Sequence, residues 1–135
     1  MKRLLLFLLL LSPAFAQVET LSVDGIYLDT PASQQAWLPN PCPDGSYTAG
    51  ETTVEVRSGK IINVTGTFLS MGHHQMAAVG QATDELALTL GQPSDTLYGC
   101  GPQRGDHVRF YHHLGVIVCG GEKVTQVRLE HVKKP

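Results

Sequence analysis

The feature that most constrains the fold is a short pattern that occurs twice in the chain. Residues 54–61 (VEVRSGKI) match residues 117–124 (IVCGGEKV), and residues 38–41 (LPNP) match residues 90–93 (LGQP). Each longer string consists of two apolar runs on either side of a glycine turn, which is typical of a β-hairpin. The match predicts two copies of one unit; the alternative is a chance similarity between two ordinary hairpins.

Each unit starts with a helix signal. In residues 30–38, Thr30 can cap a helix whose first position is Pro31, and in residues 83–90 a capping Thr83 precedes two acids. Fourteen glycines and eight prolines favour strands and turns elsewhere. We predict an α+β domain built from two helix-then-meander repeats, with two short helices packed on one face of a mostly antiparallel sheet of five or six strands. The repeats cover about residues 25–68 and 79–131 and share one core.

The second unit carries a family resemblance. Thr83-Asp84-Glu85-Leu86, Leu90-Gly91-Gln92-Pro93 and Gly121-Glu122-Lys123-Val124 together resemble the tandem helix-plus-sheet units of the β-lactamase-inhibitor-protein-like and small outer-membrane-lipoprotein-like families. The resemblance covers residues 79–131, and residues 25–68 more weakly. It implies an open sheet face that binds a protein in a cell envelope. The chain lacks the lipid-anchoring Cys of the lipoproteins, and its units are shorter than those of the inhibitors.

The start of the chain has the organisation of a secretory signal peptide. Lys2 and Arg3 precede the apolar run 4–11, and Ala14 and Ala16 have the small side chains that signal peptidase accepts. We predict that residues 1–16 are removed and that residues 17–135 form a single secreted or periplasmic domain. The alternative is an uncleaved anchor, although the run is shorter than a membrane span, and no second run of spanning length follows.

Charge and motifs exclude some classes of function. The formal net charge is −2 and becomes more negative without Lys2 and Arg3, whereas a nucleic-acid-binding protein usually has a basic excess. The sequence contains no Gly-x-Ser-x-Gly or His-Glu-x-x-His motif and no phosphate-binding glycine loop. Asp106 and His107 are adjacent, but no nucleophile accompanies them in a recognisable pattern. These features predict a protein that is not an enzyme, with a small hydrolase as the third alternative.

Three cysteines in an exported chain predict one disulfide and one unpaired thiol. A bond between Cys100 and Cys119 would close a ring of about 20 residues and stabilise the fold by roughly 3 kcal/mol. The sequence leaves open a pairing of Cys42 with either of the other two.

The faces of the predicted sheet follow from an assumed turn. A two-residue turn at Leu114-Gly115 would place one set of apolar side chains beneath the helices. This inward set consists of Val108, Phe110, Ile117 and Cys119 in the second unit, with Val54, Val56, Ile62 and Val64 in the first.

The opposite face would then be the binding surface. Arg and Tyr are enriched at the centres of protein interfaces because each combines a large contact area with a polar tip. We predict a protein partner, in the envelope or outside the cell, that contacts Arg57, Arg109, Tyr111, His113 and Arg128. Glu55 and Gln126 would lie on the same face; the alternative is an ordinary solvated sheet surface.

A metal site is the second functional alternative. The segment from Met71 to Met76 contains His73 and His74, and thioethers and imidazoles are ligands that copper accepts. Neighbouring side chains on a strand point to opposite faces, so the pair His112 and His113 is a poorer candidate for one ion. The sequence thus offers Met71, His73, His74 and Met76 as copper ligands, with no other cofactor.

Overall fold

Two antiparallel β-sheets make up about half of the residues that the structure describes. A computed structural model of the protein describes residues 20–99 and 106–132, so the predicted signal peptide lies outside the described residues. In chain order the strands are β1 (Leu21–Val23), β2 (Ile26–Tyr27), β3 (Gly45–Ala49), β4 (Thr52–Arg57), β5 (Lys60–Gly66), β6 (Phe68–Met71), β7 (His74–Ala78), β8 (Asp95–Tyr98), β9 (His107–Tyr111), β10 (Val116–Gly120) and β11 (Val124–Glu130).

The sheets have seven and four strands. The large sheet has the order β3-β4-β5-β11-β10-β9-β8, and the small sheet has the order β2-β1-β6-β7. The small sheet packs against the middle of the large one, where β1, β6 and β7 contact β11 and where β1 and β2 contact β5. The architecture is a β-sandwich, and all strand pairings within the described ranges are antiparallel.

The predicted α+β class is therefore wrong. The layer assigned to two helices is the small sheet, whose strands are so short that the sequence gives little periodic signal for them. Residues 30–38 form only a 3-10 turn at Ala32–Gln34. Residues 83–90 form a 3-10 turn, Thr83–Glu85, followed by helix α1, Leu86–Leu90, which packs beside β7 at the edge of the small sheet. Within residues 20–99 and 106–132, no helix has the length and apolarity needed to cross a bilayer.

The core lies between the two sheets. From the small sheet, Val23, Ile26, Leu69 and Ala77 point inward. Helix α1 adds the side chains of Leu86 and Leu90 at one edge. The large sheet supplies the greatest number of buried side chains: Val54, Val56, Ile61, Val64, Tyr111, Val116, Val118, Val124, Val127 and Leu129.

Both sheets have an internal two-fold pattern. In the large sheet β5 pairs with β11 so that Thr65 faces Arg128, with Val64 opposite Leu129 and Gly66 opposite Val127. In the small sheet Ser22 faces Ser70, with flanking pairs in the same symmetric arrangement. The strand orders fit an approximate two-fold relation between the halves of the chain, because β5 pairs with β11 and β1 pairs with β6 at the centres of the two sheets.

The hydrogen bonds outside the sheets follow the same pattern. The Ala32 N–H donates to the Gly59 carbonyl at 2.8 Å, and the Thr83 N–H donates to the Glu122 carbonyl at 2.9 Å. Isolated bridges pair Pro31 with Lys60 and Ala82 with Lys123. The hairpins β1–β2 and β6–β7 also correspond, and they extend beyond the repeat bounds proposed from the sequence, which stay a prediction.

The predicted faces are right in one half and wrong in the other. Val54, Val56 and Val64 are buried as expected, whereas a bulge after Glu55 places Ile61 rather than Ile62 in the core. In β9 and β10 the assignment is inverted: Tyr111, which pairs with Val116, points inward together with Val118. The misplaced residues Val108, Phe110, Ile117 and Cys119 share the opposite side of the sheet.

Candidate functional site

The large sheet has an outer face, on the side away from the small sheet, that is polar in one half. Residues that pair directly across neighbouring strands point to the same side of a sheet. On β3, β4 and β5, the paired residues that point to the outer side are polar. Residue Thr65 then continues this row to Arg128 on β11. The polar residues of the outer face are Ser46, Thr48, Thr53, Glu55, Asn63 and Thr65.

The other half of the outer face is apolar. Arg128 on β11 lies opposite Ile117 on β10, and Ile117 lies opposite Phe110 on β9. One step along, Val108 pairs with Leu97 on the edge strand β8, and 52% of the Leu97 surface is exposed. The side chains of Val108, Phe110 and Ile117 are half-buried. A partly exposed apolar patch with a polar border is typical of interaction surfaces.

Arg128 marks the boundary between these halves. Its Nε lies 3.6 Å from the Glu130 Oε2, and 43% of its side chain is exposed. The Nε atom itself is buried and has no hydrogen-bond partner among the described residues. Arg128 also borders a groove of about 110 Å³ that runs over the polar half beside Thr53 and Asn63. Part of the Arg128 side chain thus remains available to a partner.

Two of the predicted contact residues share this face. Arg57 lies on it at the end of β4, is exposed and has its Nη2 3.6 Å from Glu55 Oε1. Arg128 lies at the centre, and Gln126, opposite Cys119, completes the group. Of the five residues predicted to contact a partner, Arg57 and Arg128 are therefore the two that lie on the outer face.

Three other predicted contact residues lie elsewhere. Tyr111 is 1% exposed and belongs to the core, so its side chain does not reach the outer face. Burial raises the pKa of its phenol above the ordinary value, although Arg109 acts in the opposite direction. Arg109 pairs with Val118 on the inner side and donates from Nη1 to the Gly120 carbonyl at 3.3 Å. His113 is exposed in the turn between β9 and β10.

A second concave region lies at the edge of the sandwich. A cavity of about 630 Å³ opens between the 3-10 turn at Thr83 and the turn that precedes β11, and it contains both Arg109 and Lys123 as well as Asp84. Next to it, behind Gly121, lies the Asp106 carboxyl group. Asp106 is only 5% exposed, and its Oδ2 has no hydrogen-bond partner in the described part of the chain. The sequence singled out Asp106 for its neighbour His107 and gave no sign that it is buried.

The proposed copper ligands are spread over a hairpin. His73 and His74 are exposed at the turn between β6 and β7. Met71, opposite His74, borders an apolar cavity between the sheets, and Met76 packs against the core. Over residues 20–99 and 106–132, no group of three or more His, Cys, Asp or Glu side chains is arranged to hold a metal ion. Copper binding stays a prediction.

The cysteines are only partly described. Cys119 lies opposite Val108 on the outer side of the large sheet, and Cys100 lies outside the described residues, so the predicted disulfide stays a prediction. Cys42 is a free, half-buried cysteine whose Sγ lies 3.8 Å from the Pro43 carbonyl oxygen. The Tyr47 hydroxyl donates to the same carbonyl at 2.6 Å. Desolvation, and to a smaller extent the nearby Cys42 thiol, raises the pKa of the Tyr47 phenol.

Comparison with known proteins adds no relative. No protein-family model, no curated protein and no solved structure matches this chain. The outer face of the large sheet combines Arg128 with the apolar neighbours Ile117 and Phe110. The sequence missed Phe110 and Ile117 as members of this face. The sequence predicted Arg128 on the outer face, and Ile117 lies directly opposite Arg128. Because directly paired residues share a face, the correct β10–β11 register would have placed Ile117 there too.

Proposed function

We propose that the protein is an exported, non-enzymatic binding module whose outer face docks a protein partner. The observation that supports this best is the row Arg128, Ile117 and Phe110, which crosses three adjacent strands. A cation beside aliphatic and aromatic side chains is the composition of the energetic centre of many interfaces. The polar half of the face would form the hydrated rim.

The charge of the face gives a direction to the partner. The Arg128 Nε lies 3.6 Å from the Glu130 Oε2, which is longer than a charge-assisted hydrogen bond. A carboxylate of a partner could therefore approach the exposed part of the Arg128 side chain. Ile117 and Phe110 would contact apolar side chains next to that carboxylate. We therefore expect a partner segment with an acidic residue beside apolar ones.

The experiment compares capture by four immobilised proteins: the wild type, Ile117→Asp, Arg128→Glu and Leu88→Asp. Leu88 lies on α1 and is 86% exposed, so Leu88→Asp is a matched change of an exposed apolar side chain elsewhere. Extracellular or envelope protein from the source cells should bind to the wild type and to Leu88→Asp, also in the presence of a chelator. Arg128→Glu should weaken capture at least about tenfold, because it places like charges together.

The proposal is wrong if all four proteins retain the same partner equally. Loss of capture by Leu88→Asp alone would move the binding surface to α1. Loss with the chelator in the wild type would favour the metal-binding alternative. Circular dichroism and thermal melts of each variant separate a loss of binding from a loss of folding.

A further inference from the structure

The two ends of the sandwich correspond by pseudo-symmetry but differ in chemistry. At one end, the turn between β1 and β2 carries Asp24, whose carboxylate accepts hydrogen bonds from three other residues. Its partners are the Thr52 hydroxyl at 2.5 Å, the Thr67 N–H at 3.0 Å and the Phe68 N–H at 3.0 Å. The nearby recess beside Gly66 and Val79 is polar as well, with Glu51 and Thr67 at its border. This end is joined by polar contacts.

The opposite end has different residues at the equivalent positions. The β6–β7 hairpin pairs Met71 with His74 as the β1–β2 hairpin pairs Val23 with Ile26, so Gly72 takes the place of Asp24. In the large sheet, the symmetric pairs Gly66–Val127 and Val64–Leu129 make Leu129 the counterpart of Gly66. No carboxylate is therefore present at the turn, and an aliphatic side chain replaces a glycine.

These replacements line an apolar cavity. It has a volume of about 260 Å³ between the sheets and is bordered by Leu21, Leu28, Met71, Leu114 and Leu129. Thr20 and His113 are the polar side chains around it. The site is open to solvent on one side, and its volume exceeds the roughly 150 Å³ of an enclosed apolar cavity that binds benzene, so it has room for a longer hydrocarbon. A Met side chain in the wall can adjust its shape to a ligand.

We propose that this cavity binds the hydrocarbon chain of a small single-chain amphiphile, whose polar end lies beside Thr20 and His113. The five aliphatic and thioether side chains offer contact area but no strong hydrogen-bonding group, which selects against a polar ligand. Two polar side chains suffice to orient the other end of the molecule. The site is separate from the outer face, and the inference goes beyond the proposed protein-binding function.

The test uses decanol and decanoate as probes for the purified protein. Isothermal titration calorimetry measures affinity, and methyl NMR shifts locate the probe at Leu21 and Leu129. We expect decanol to bind more than about tenfold more tightly than butanol, because each buried methylene adds to affinity. Decanoate reports whether a charged end is accepted at Thr20 and His113.

The decisive comparison is between Leu28→Trp and Val79→Trp. These residues precede Asp29 and Gly80, whose N–H groups donate to equivalent carbonyls of β5 and β11, so they occupy matching positions at opposite ends. Leu28→Trp should fill the cavity and weaken decanol binding by about tenfold or more, while Val79→Trp should leave it unchanged. Met71→Trp is a second cavity-filling variant should Leu28→Trp fail to fold.

Three results would overturn the proposal. The first is the absence of decanol and decanoate binding to the wild type. The second is an equal effect of Leu28→Trp and Val79→Trp, with thermal melts showing that both are folded. The third is a set of nuclear Overhauser contacts from residues 17–19 of the chain to Leu129, which would make this chain its own occupant of the cavity. Retained capture of the protein partner by Leu28→Trp would show that the two proposals succeed or fail independently.

Discussion

Gly66 leaves open the space that the Asp24 carboxylate fills, so these two residues fit together where the large and small sheets meet. A methyl group at position 66 would overlap with Asp24 Oδ2 and lie against Val23. We predict that Gly66→Ala lowers the free energy of unfolding by about 3 kcal/mol, because overpacking displaces the carboxylate from its hydrogen bonds. Urea unfolding followed by circular dichroism measures the change.

A double-mutant cycle with Asp24→Ala is the control for this interpretation. Asp24→Ala alone should cost about 2 kcal/mol, because the N–H groups of Thr67 and Phe68 lose their acceptor. The combined variant should lose less stability than the sum of the single losses, because the overlap disappears with the carboxylate. Strict additivity would show that the two residues do not interact.

The two sides of β10 provide a test of the sheet faces. Val118 is fully buried and Ile117 is half-buried on the outer face. We predict that Val118→Asp costs roughly 4 kcal/mol or more, because it buries an unpaired charge, and prevents folding at ambient temperature. Ile117→Asp should cost about 1 kcal/mol, within the range of strand propensities. Similar losses for both variants, measured by thermal unfolding, would contradict the assigned faces.

The thiol content tests the predicted disulfide. Because Cys42 is free, a Cys100–Cys119 bond would leave one reactive thiol in the unreduced, denatured chain. We expect one equivalent in a thiol assay of the wild type and none in Cys42→Ser. Mass spectrometry of a digest should show peptides containing Cys100 and Cys119 joined together. Three reactive thiols in the wild type would show that no bond forms.

Tyr111 predicts a dependence of stability on alkaline pH. Its raised pKa means that the folded protein keeps the phenolic proton at pH values where the unfolded chain, with a pKa of about 10, has released it. The unfolded state then binds fewer protons, so the free energy of unfolding falls as the pH rises above about 10. Tyr111→Phe should show a smaller fall between pH 9 and 11 in urea unfolding. Parallel curves for the two proteins would contradict this expectation.

The sequence predicted the meanders better than the layers. Residues 54–61 show an alternating apolar pattern and a glycine turn, and they form β4 and the start of β5 with Val54 and Val56 inside. β1 and β2 have only three and two residues, which is too short for a period of two to stand out. The layer opposite the large sheet was therefore assigned to helices.

The candidate site was harder to predict because β9 and β10 are apolar on both sides. Tyr111, Val116 and Val118 point inward, while Phe110 and Ile117 point outward, so hydrophobicity alone cannot choose between the faces. A two-residue turn was predicted where the turn at residues 112–115 has four residues. This difference did not cause the inverted faces, because a register shift of two residues keeps each side chain on its side. The missing information was the register of β10 against β11, in which Ile117 lies opposite the outward-facing Arg128.

The pairing of β5 with β11 determines how the chain can be divided. Each residue pair between β5 and β11, such as Thr65 and Arg128, joins the first half of the chain to the second. A fragment that ends after β5 would expose the backbone N–H and C=O groups of that strand edge. A second identical fragment could pair with them. Dividing the chain after β5 would thus leave two unprotected strand edges, one on β5 and one on β11.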